Sequence, residues 1–260
     1  MLVCLKFTGE RLIPKDKQCG PETEIYKEHM KRYEFAQTFI KKDDNILDLA
    51  CGVGYGSKLL NEKRNCKVYG CDISSEAIQY AQKNYSSKKV IFQIMNASSL
   101  SFPNNFFDCI TCFETLEHLK NYVPALEEFS RVLKNHGTLI ISTPNKEISL
   151  KHQSENEYHI NEFTHDEFIK ILSNNFKKIL LYSQKLMIEP SLKEKTLKSG
   201  FSFVLKILKY DKLNFRRKFI KHGTGDKLYQ SFNQSYRSPD IISYMPGHKP
   251  QNFIAICMKE

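Results

Sequence analysis

Asn45-Ile-Leu-Asp-Leu-Ala-Cys-Gly-Val-Gly-Tyr-Gly56 decides the fold of this 260-residue chain. The apolar run from Asn45 to Ala50 reads as a buried strand, and a helix is expected near Ser57–Glu62. Between them Gly52, Gly54 and Gly56 let the backbone turn tightly and come close to a ligand. A second strand, Lys67-Val-Tyr-Gly-Cys71, ends at Asp72, which lies 72 − 52 = 20 residues after Gly52. A carboxylate there can accept both hydroxyls of an adenosine ribose. Two features separate the loop from a dinucleotide site. It is Gly-x-Gly-x-Gly, and the acid Asp48 precedes it, which repels a pyrophosphate and suits a cationic ligand. An NAD-linked sugar enzyme is thereby disfavoured.

Outward from this stretch, strands and helices alternate. The spacing predicts a helix over Glu22–Ile40, a helix from Ser74 or Ser75 to Tyr85, and strands over Val90–Met95 and Phe106–Phe113. A helix follows over Tyr122–Lys134, stopped by Asn135-His-Gly137, then a strand over Thr138–Ser142 closed by Pro144. A helix from Thr164 to Ser173 and strands over Lys178–Tyr182 and Phe253–Met258 complete the pattern. Alternation of this kind predicts an α/β fold, a doubly wound, mostly parallel, Rossmann-like sheet of seven strands with ligands at the carboxyl ends of the strands. The organisation expected is an N-terminal loop and helix (1–40), a core (41–183), a basic cap insertion (184–250) and a final core strand (251–260).

Charge sharpens the expectation about partners. Lys and Arg exceed Asp and Glu by 39 − 29 = +10, which points to an anionic partner. Gln184–His222 alone carries eleven Lys/Arg against three acids, 11 − 3 = +8. Phe201, Val204, Leu205 and Leu208 form a helical apolar stripe in it, read as an amphipathic cap helix or, alternatively, as peripheral contact with an anionic membrane surface. Arg216-Arg217-Lys218 could neutralise a phosphate. Only Leu2–Leu5 is apolar before Lys6, and no stretch approaches the ~18 apolar residues of a membrane span, so a cytoplasmic protein is expected. Cys51, Cys71, Cys109, Cys112 and Cys257 sit in strand-like runs and read as reduced core residues. Cys109 and Cys112 point to opposite faces of a strand and cannot chelate one ion there.

At this point the chain resembles the class I S-adenosylmethionine-dependent methyltransferases. The resemblance rests on Ile46–Gly56, Gly70-Cys-Asp-Ile73, Asn96-Ala-Ser-Ser-Leu-Ser-Phe-Pro103, Phe107–Leu119 and Arg131-Val-Leu-Lys-Asn-His-Gly137. It implies that Asp48, Ala50, Gly52 and Gly54 hold the methionine end, Asp72 and Ile73 the ribose and adenine, Asn96 and Ala97 the adenine edge, and Phe113 the region of the sulfonium. The family usually has Asp at position 96; the Asn96 carbonyl can still accept from the adenine amino group. Phe7-Thr-Gly-Glu-Arg-Leu-Ile-Pro14 and Glu28-His-Met-Lys-Arg-Tyr33 are similar to a subgroup associated with bacterial surface-glycan and capsule biosynthesis. His29, Arg32 and Tyr33 share one helix face. Arg32 is expected at the cofactor, Arg11, His29 and Tyr33 at the acceptor, and Arg11 or Arg32 could clamp a carboxylate or phosphate.

The acceptor hydroxyl needs help to lose its proton. Glu114-Thr-Leu-Glu117-His118 should open a helix after the fourth strand and bring Glu114, Glu117 and His118 to one side. Asn156–Phe168 supplies His159; His165 reads as a surface residue. The two segments resemble the metal site of small-RNA 2′-O-methyltransferases and of ubiquinone-type O-methyltransferases. That implies Glu114, Glu117, His118 and His159 as ligands of Mg²⁺ or Mn²⁺, the nitrogen ligands favouring Mn²⁺. Without metal, His118 or His159 would act as general base, with Glu117 beside it. The expected activity is O-methylation of a small polar, phosphate-bearing acceptor, a sugar, nucleotide-sugar or phosphoramidate, in capsule or surface-glycan biosynthesis. RNA is the second candidate acceptor, through a ribose 2′-O-methyltransferase, although no RNA-binding domain is recognisable. A non-catalytic S-adenosylmethionine-binding protein is the alternative from another class.

Overall fold

The structure is a computed structural model that describes residues 12–14, 21, 23–152, 156–186, 241–244 and 250–259. The chain divides into two units, Met1–Leu186 with Ser238–Glu260, and Met187–Arg237. The second unit, with the Phe201 stripe and Arg216–Lys218, lies outside the described residues, as does Arg11.

The first unit contains an eight-stranded sheet. In chain order its elements are α1 (Glu24–Ala36), β1 (Asn45–Leu49), α2 (Tyr55–Arg64), β2 (Lys67–Asp72), α3 (Ser75–Tyr85), β3 (Val90–Ile94), β4 (Phe107–Phe113) and a 3₁₀ turn, η1 (Leu116–His118). There follow α4 (Val123–Val132), β5 (Leu133–Pro144), α5 (Lys146–His152), α6 (His165–Ser173), β6 (Lys178–Leu186), β7 (Ile241–Ser243) and β8 (Pro250–Met258). The strand order is β3-β2-β1-β4-β5-β8-β6-β7. Strands β1 to β5 pair in parallel, and β8 runs antiparallel between β5 and β6. The eighth strand is β7, three residues at the edge paired with β6. It arises inside the stretch expected to be cap, which also yields residues 184–186 to β6 and Pro250 to β8.

Successive strands add on one side of β1 up to β3, and β4 then starts the other side. The order therefore reverses between β1 and β4, and a crevice opens at their carboxyl ends. Leu49 is opposite Cys112, and Phe113 is opposite Ser142. This register sets the glycine loop, the segment after Phe113 and the end of β5 side by side. The core on one face buries Ala125, Leu126, Phe129 and Val132 of α4 and Phe168 and Leu172 of α6. Thr164 and Glu167 form a reciprocal capping box that starts α6 where the sequence expects it.

Two local expectations are corrected. The helix before β5 ends at Val132, and Asn135-His-Gly137 lies within β5. Partners advance two residues on β4 (Phe107 to Cys109) but five on β5 (Leu133 to Thr138), so three residues bulge out there, with His136 at φ 62°. The stop signal is thus a bulge signal. The second correction concerns Glu114, which does not open a helix. It takes a left-handed backbone, φ 45°, and the chain then makes only η1. The cysteines sit as expected: Cys51, Cys71, Cys109, Cys112 and Cys257 are buried free thiols. Burial pushes the Cys71 and Cys112 thiols up to about 12, which suits inert core positions. No described helix is long and apolar enough to cross a membrane.

Candidate functional site

The glycine loop is built on a buried acid. Asp48 is 1% exposed and accepts from Ser57 Oγ at 2.5 Å, Thr111 Oγ1 at 2.8 Å and Tyr33 Oη at 3.3 Å. It ties α2, β4 and α1 to β1 beneath the loop. Burial raises it to about 6, although the three hydroxyls each pull it down. Gly54, at φ 86°, caps α2, and a Cβ there would come within 2.7 Å of Ala81 Cβ and the Phe92 ring. At Gly56 a Cβ would meet the Tyr33 ring at 2.0 Å. That close approach lets the Tyr33 hydroxyl reach Asp48, and the ring also meets Phe113 edge-on at 5.1 Å. Tyr33 is therefore turned inward, toward the loop floor. Ser57 and Thr111 carry no sequence signal, because a hydroxyl in a helix or strand has many other uses.

Ala50 and Gly52 both have φ 53°, so the backbone rises off β1 in a left-handed conformation that costs Ala50 about 1 kcal/mol. The Gly52 amide donates to Asp72 Oδ2 at 2.9 Å and the Ser74 amide to Oδ1 at 2.8 Å. Each carboxylate oxygen keeps a further lone pair, so the acid links the two loops and can still accept ribose hydroxyls. Ile73 beside it is 72% exposed, an apolar surface at the strand end. Asn96 makes an Asx turn, its Oδ1 accepting from the Ser98 amide at 2.9 Å, while Ala97 packs against the core.

Arg32 and Glu114 form a second polar group. Arg32 is 2% exposed; its Nε donates to Gln184 Oε1 at 2.7 Å, one Nη lies 3.7 Å from Glu114 Oε2, and Nη1 is buried with no hydrogen-bond partner among the described residues. The left-handed turn directs Glu114 to Ser142 Oγ (2.5 Å) and Asn252 Nδ2 (2.7 Å), both of which donate to it. His29 lies one turn earlier on α1, 3.4 Å from the Tyr55 hydroxyl, and burial together with the Arg32 charge holds it well below the usual imidazole range. Gln184 and Asn252, on β6 and β8, were not legible as partners because they lie 152 residues from Arg32 and 138 from Glu114, respectively.

The acid and imidazole cluster is smaller than the sequence suggests. Glu117, His118 and His159 each offer an atom within 4.8 Å of the others, a set that could hold a metal ion. Glu114 is not in it. The expected helix would have stacked residues 114, 117 and 118, whereas the left-handed residue and 3₁₀ turn point Glu114 the other way. Glu117 is fully buried and its Oε2 lies 3.5 Å from Thr143 Oγ1. His118 Nδ1 donates to the Tyr158 carbonyl at 3.0 Å, and the two imidazole centroids are 5.1 Å apart. His165 stacks on Tyr244 and pairs with Asp166, apart from the cluster.

A doubly wound sheet with a glycine loop, an acid ending the next strand and a polar cluster at its switch point has the Rossmann-like, class I methyltransferase fold. The chain belongs to the methyltransferase-domain family, whose model matches residues 40–231. It is 28% identical over 172 residues to a probable S-adenosylmethionine-dependent methyltransferase of Mycobacterium tuberculosis, covering 65% of this chain and 60% of that protein. An uncharacterized Methanocaldococcus jannaschii protein is 32% identical over 142 residues, covering 52% and 59%. The chain thus spans about three-fifths of the length of these relatives. Among solved structures, Bacillus subtilis YcgJ matches with TM-score 0.56 at 19% identity, covering 89% and 99% of the two chains. A Haemonchus contortus phosphoethanolamine N-methyltransferase in complex with S-adenosylmethionine matches with TM-score 0.53 at 17% identity, covering 89% and 53%.

Proposed function

We propose that this protein transfers a methyl group from S-adenosylmethionine to an oxygen of a small polar, phosphate-bearing acceptor, a sugar or nucleotide-sugar of surface-glycan assembly. The carrying observation is the convergence of Glu117, His118 and His159 after the carboxyl end of β4, the strand that pairs in parallel with β1 and its glycine loop. When bound, S-adenosylmethionine supplies an electrophilic methyl on a sulfonium. Asp72 receives its ribose hydroxyls, Ile73, Asn96 and Ala97 border the adenine, and Gly52 and Gly54 give the methionine end close access. The buried Arg32 Nη1 receives the methionine carboxylate, and Asp48 holds the loop in shape from below. Phe113 and Tyr33 close the wall near the sulfur.

Alignment of acceptor oxygen, methyl carbon and sulfur accounts for roughly 7 kcal/mol or more of the rate enhancement. An imidazole Nε2, of His159 or His118, takes the hydroxyl proton as the oxygen–carbon bond forms and the carbon–sulfur pair leaves on sulfur. One carboxylate and two imidazoles also fit Mn²⁺ better than Mg²⁺. Glu117, His118 and His159 would hold such an ion, whose chemistry is to lower the pKa of a bound hydroxyl. The anionic acceptor is supported by the +10 charge and by the motifs at Phe7–Pro14 and Glu28–Tyr33.

The test is calorimetric titration of S-adenosylhomocysteine into chelator-stripped protein, with and without Mn²⁺ or Mg²⁺, followed by methyl-transfer assays on phosphorylated sugars, nucleotide-sugars and RNA ends. Binding of the cofactor product and turnover on a sugar phosphate are expected. Absence of cofactor binding sinks the reading, and turnover confined to RNA replaces the acceptor.

A further inference from the structure

His159 is fixed twice, first through its backbone. The amides of Ile160 and Asn161 both donate to the Glu117 carbonyl, at 2.8 and 2.9 Å, and Asn161 Nδ2 donates to the Leu119 carbonyl at 2.5 Å. Upstream, the His159 amide donates to the Asn156 carbonyl at 2.9 Å. Residues 156–161 are thereby fastened to η1 by the residue whose carboxylate belongs to the cluster.

The ring is fixed separately. His159 Nδ1 lies 2.7 Å from Glu162 Oε1, and the two side chains are only 16% and 15% exposed. An ionised carboxylate can only accept, so Nδ1 carries the hydrogen, and in the neutral ring Nε2 carries the lone pair. His118 is oriented by the same logic through a neutral carbonyl, that of Tyr158. The two imidazoles are consequently not equivalent. The ring of His159 is held from behind by a carboxylate side chain, that of His118 by a backbone carbonyl, and such a partner fixes tautomer and ring orientation. We infer that Glu162, three residues after His159, is the positioning residue of the site: it locks His159 in the Nδ1–H tautomer and leaves the Nε2 lone pair for the cluster. The inference rests on the proposed use of His159 toward an acceptor proton or an ion.

Long-range ¹H–¹⁵N spectra of the full-length protein, with His159 assigned from its loss in His159→Gln, read the tautomer directly. The wild type should show Nδ1–H at His159. Glu162→Leu should lose that tautomer, whereas Glu162→Gln should keep it, since the amide oxygen still accepts. Mn²⁺ titrated into the same proteins should bind ten- to a hundredfold more weakly to Glu162→Leu, with S-adenosylhomocysteine affinity unchanged within about twofold, an affinity that a general failure to fold would abolish. A wild-type ring with its hydrogen on Nε2, or a tautomer indifferent to Glu162→Leu, overturns the inference. If the tautomer responds but the wild type takes up no Mn²⁺, Glu162 keeps its role and the metal reading alone fails.

Discussion

The crevice has two ends built in different ways. At the glycine loop, Asp48, Gly52, Gly54 and Asp72 come from two adjacent strands and the turns that follow them, and backbone amides complete the arrangement. At the other end, Glu117, His118 and His159 come from segments forty residues apart, joined by side-chain and carbonyl contacts across η1 and the 156–162 loop. The first end is carried by neighbouring strands in register. The second depends on one left-handed residue and a short 3₁₀ turn, so a single backbone choice at Glu114 decides which carboxylates face the histidines. The two ends should respond to mutation separately, binding at one and turnover at the other.

The largest expected effect breaks the second end alone. Removing both imidazoles, in the double variant His118→Ala/His159→Ala, should lower turnover about a thousandfold, in the range of a lost general base, while calorimetry finds S-adenosylhomocysteine affinity within about twofold of wild type. Asp72→Ala should do the reverse and weaken S-adenosylhomocysteine by about a hundredfold, since it strips the Gly52 and Ser74 amides of their charged acceptor as well as any ribose contact. If both variants lose binding alike, the separation of the two ends is wrong.

Asp48 offers a smaller effect with a definite sign. Its folded value, about 6, lies above the ordinary 3.8, so the folded state holds the proton more tightly. The acid then favours folding at low pH, and that advantage is lost as pH rises from about 4 to about 6, amounting to ~3 kcal/mol across the window. Urea unfolding of Asp48→Asn should lack this decline, and parallel pH slopes for the two proteins would remove burial as the cause. Smallest is Glu114→Gln, expected to weaken S-adenosylhomocysteine about tenfold by loosening Arg32, yet to leave Mn²⁺ affinity within about twofold. A Mn²⁺ loss equal to that of Glu117→Gln would put Glu114 back among the ligands.

Legibility followed sequence distance. The strand-loop-helix of Asn45–Arg64, the acid ending β2 and the capped starts of α3 and α6 are local devices, and each was readable from periodicity and turn chemistry. Glu162 had a partial signal in the His-x-x-Glu spacing, since residues three apart in a turn can meet. Ser57, Thr111, Gln184 and Asn252 had none, because the groups they serve are supplied by other elements. Asn135-His-Gly137 shows the converse: the left-handed signal at His136 has the local form of a helix stop, yet it marks a bulge in β5.

The sequence by itself determined that a doubly wound α/β sheet forms around a glycine loop with an acid at the end of the next strand, because hydrophobic periodicity and glycine placement act over a few residues. Only the tertiary structure decided the membership of the polar cluster. Whether Glu114 faces His118 or Arg32 depends on where β5, β6 and β8 deliver Ser142, Gln184 and Asn252, and a buried carboxylate goes where donors compensate its lost hydration.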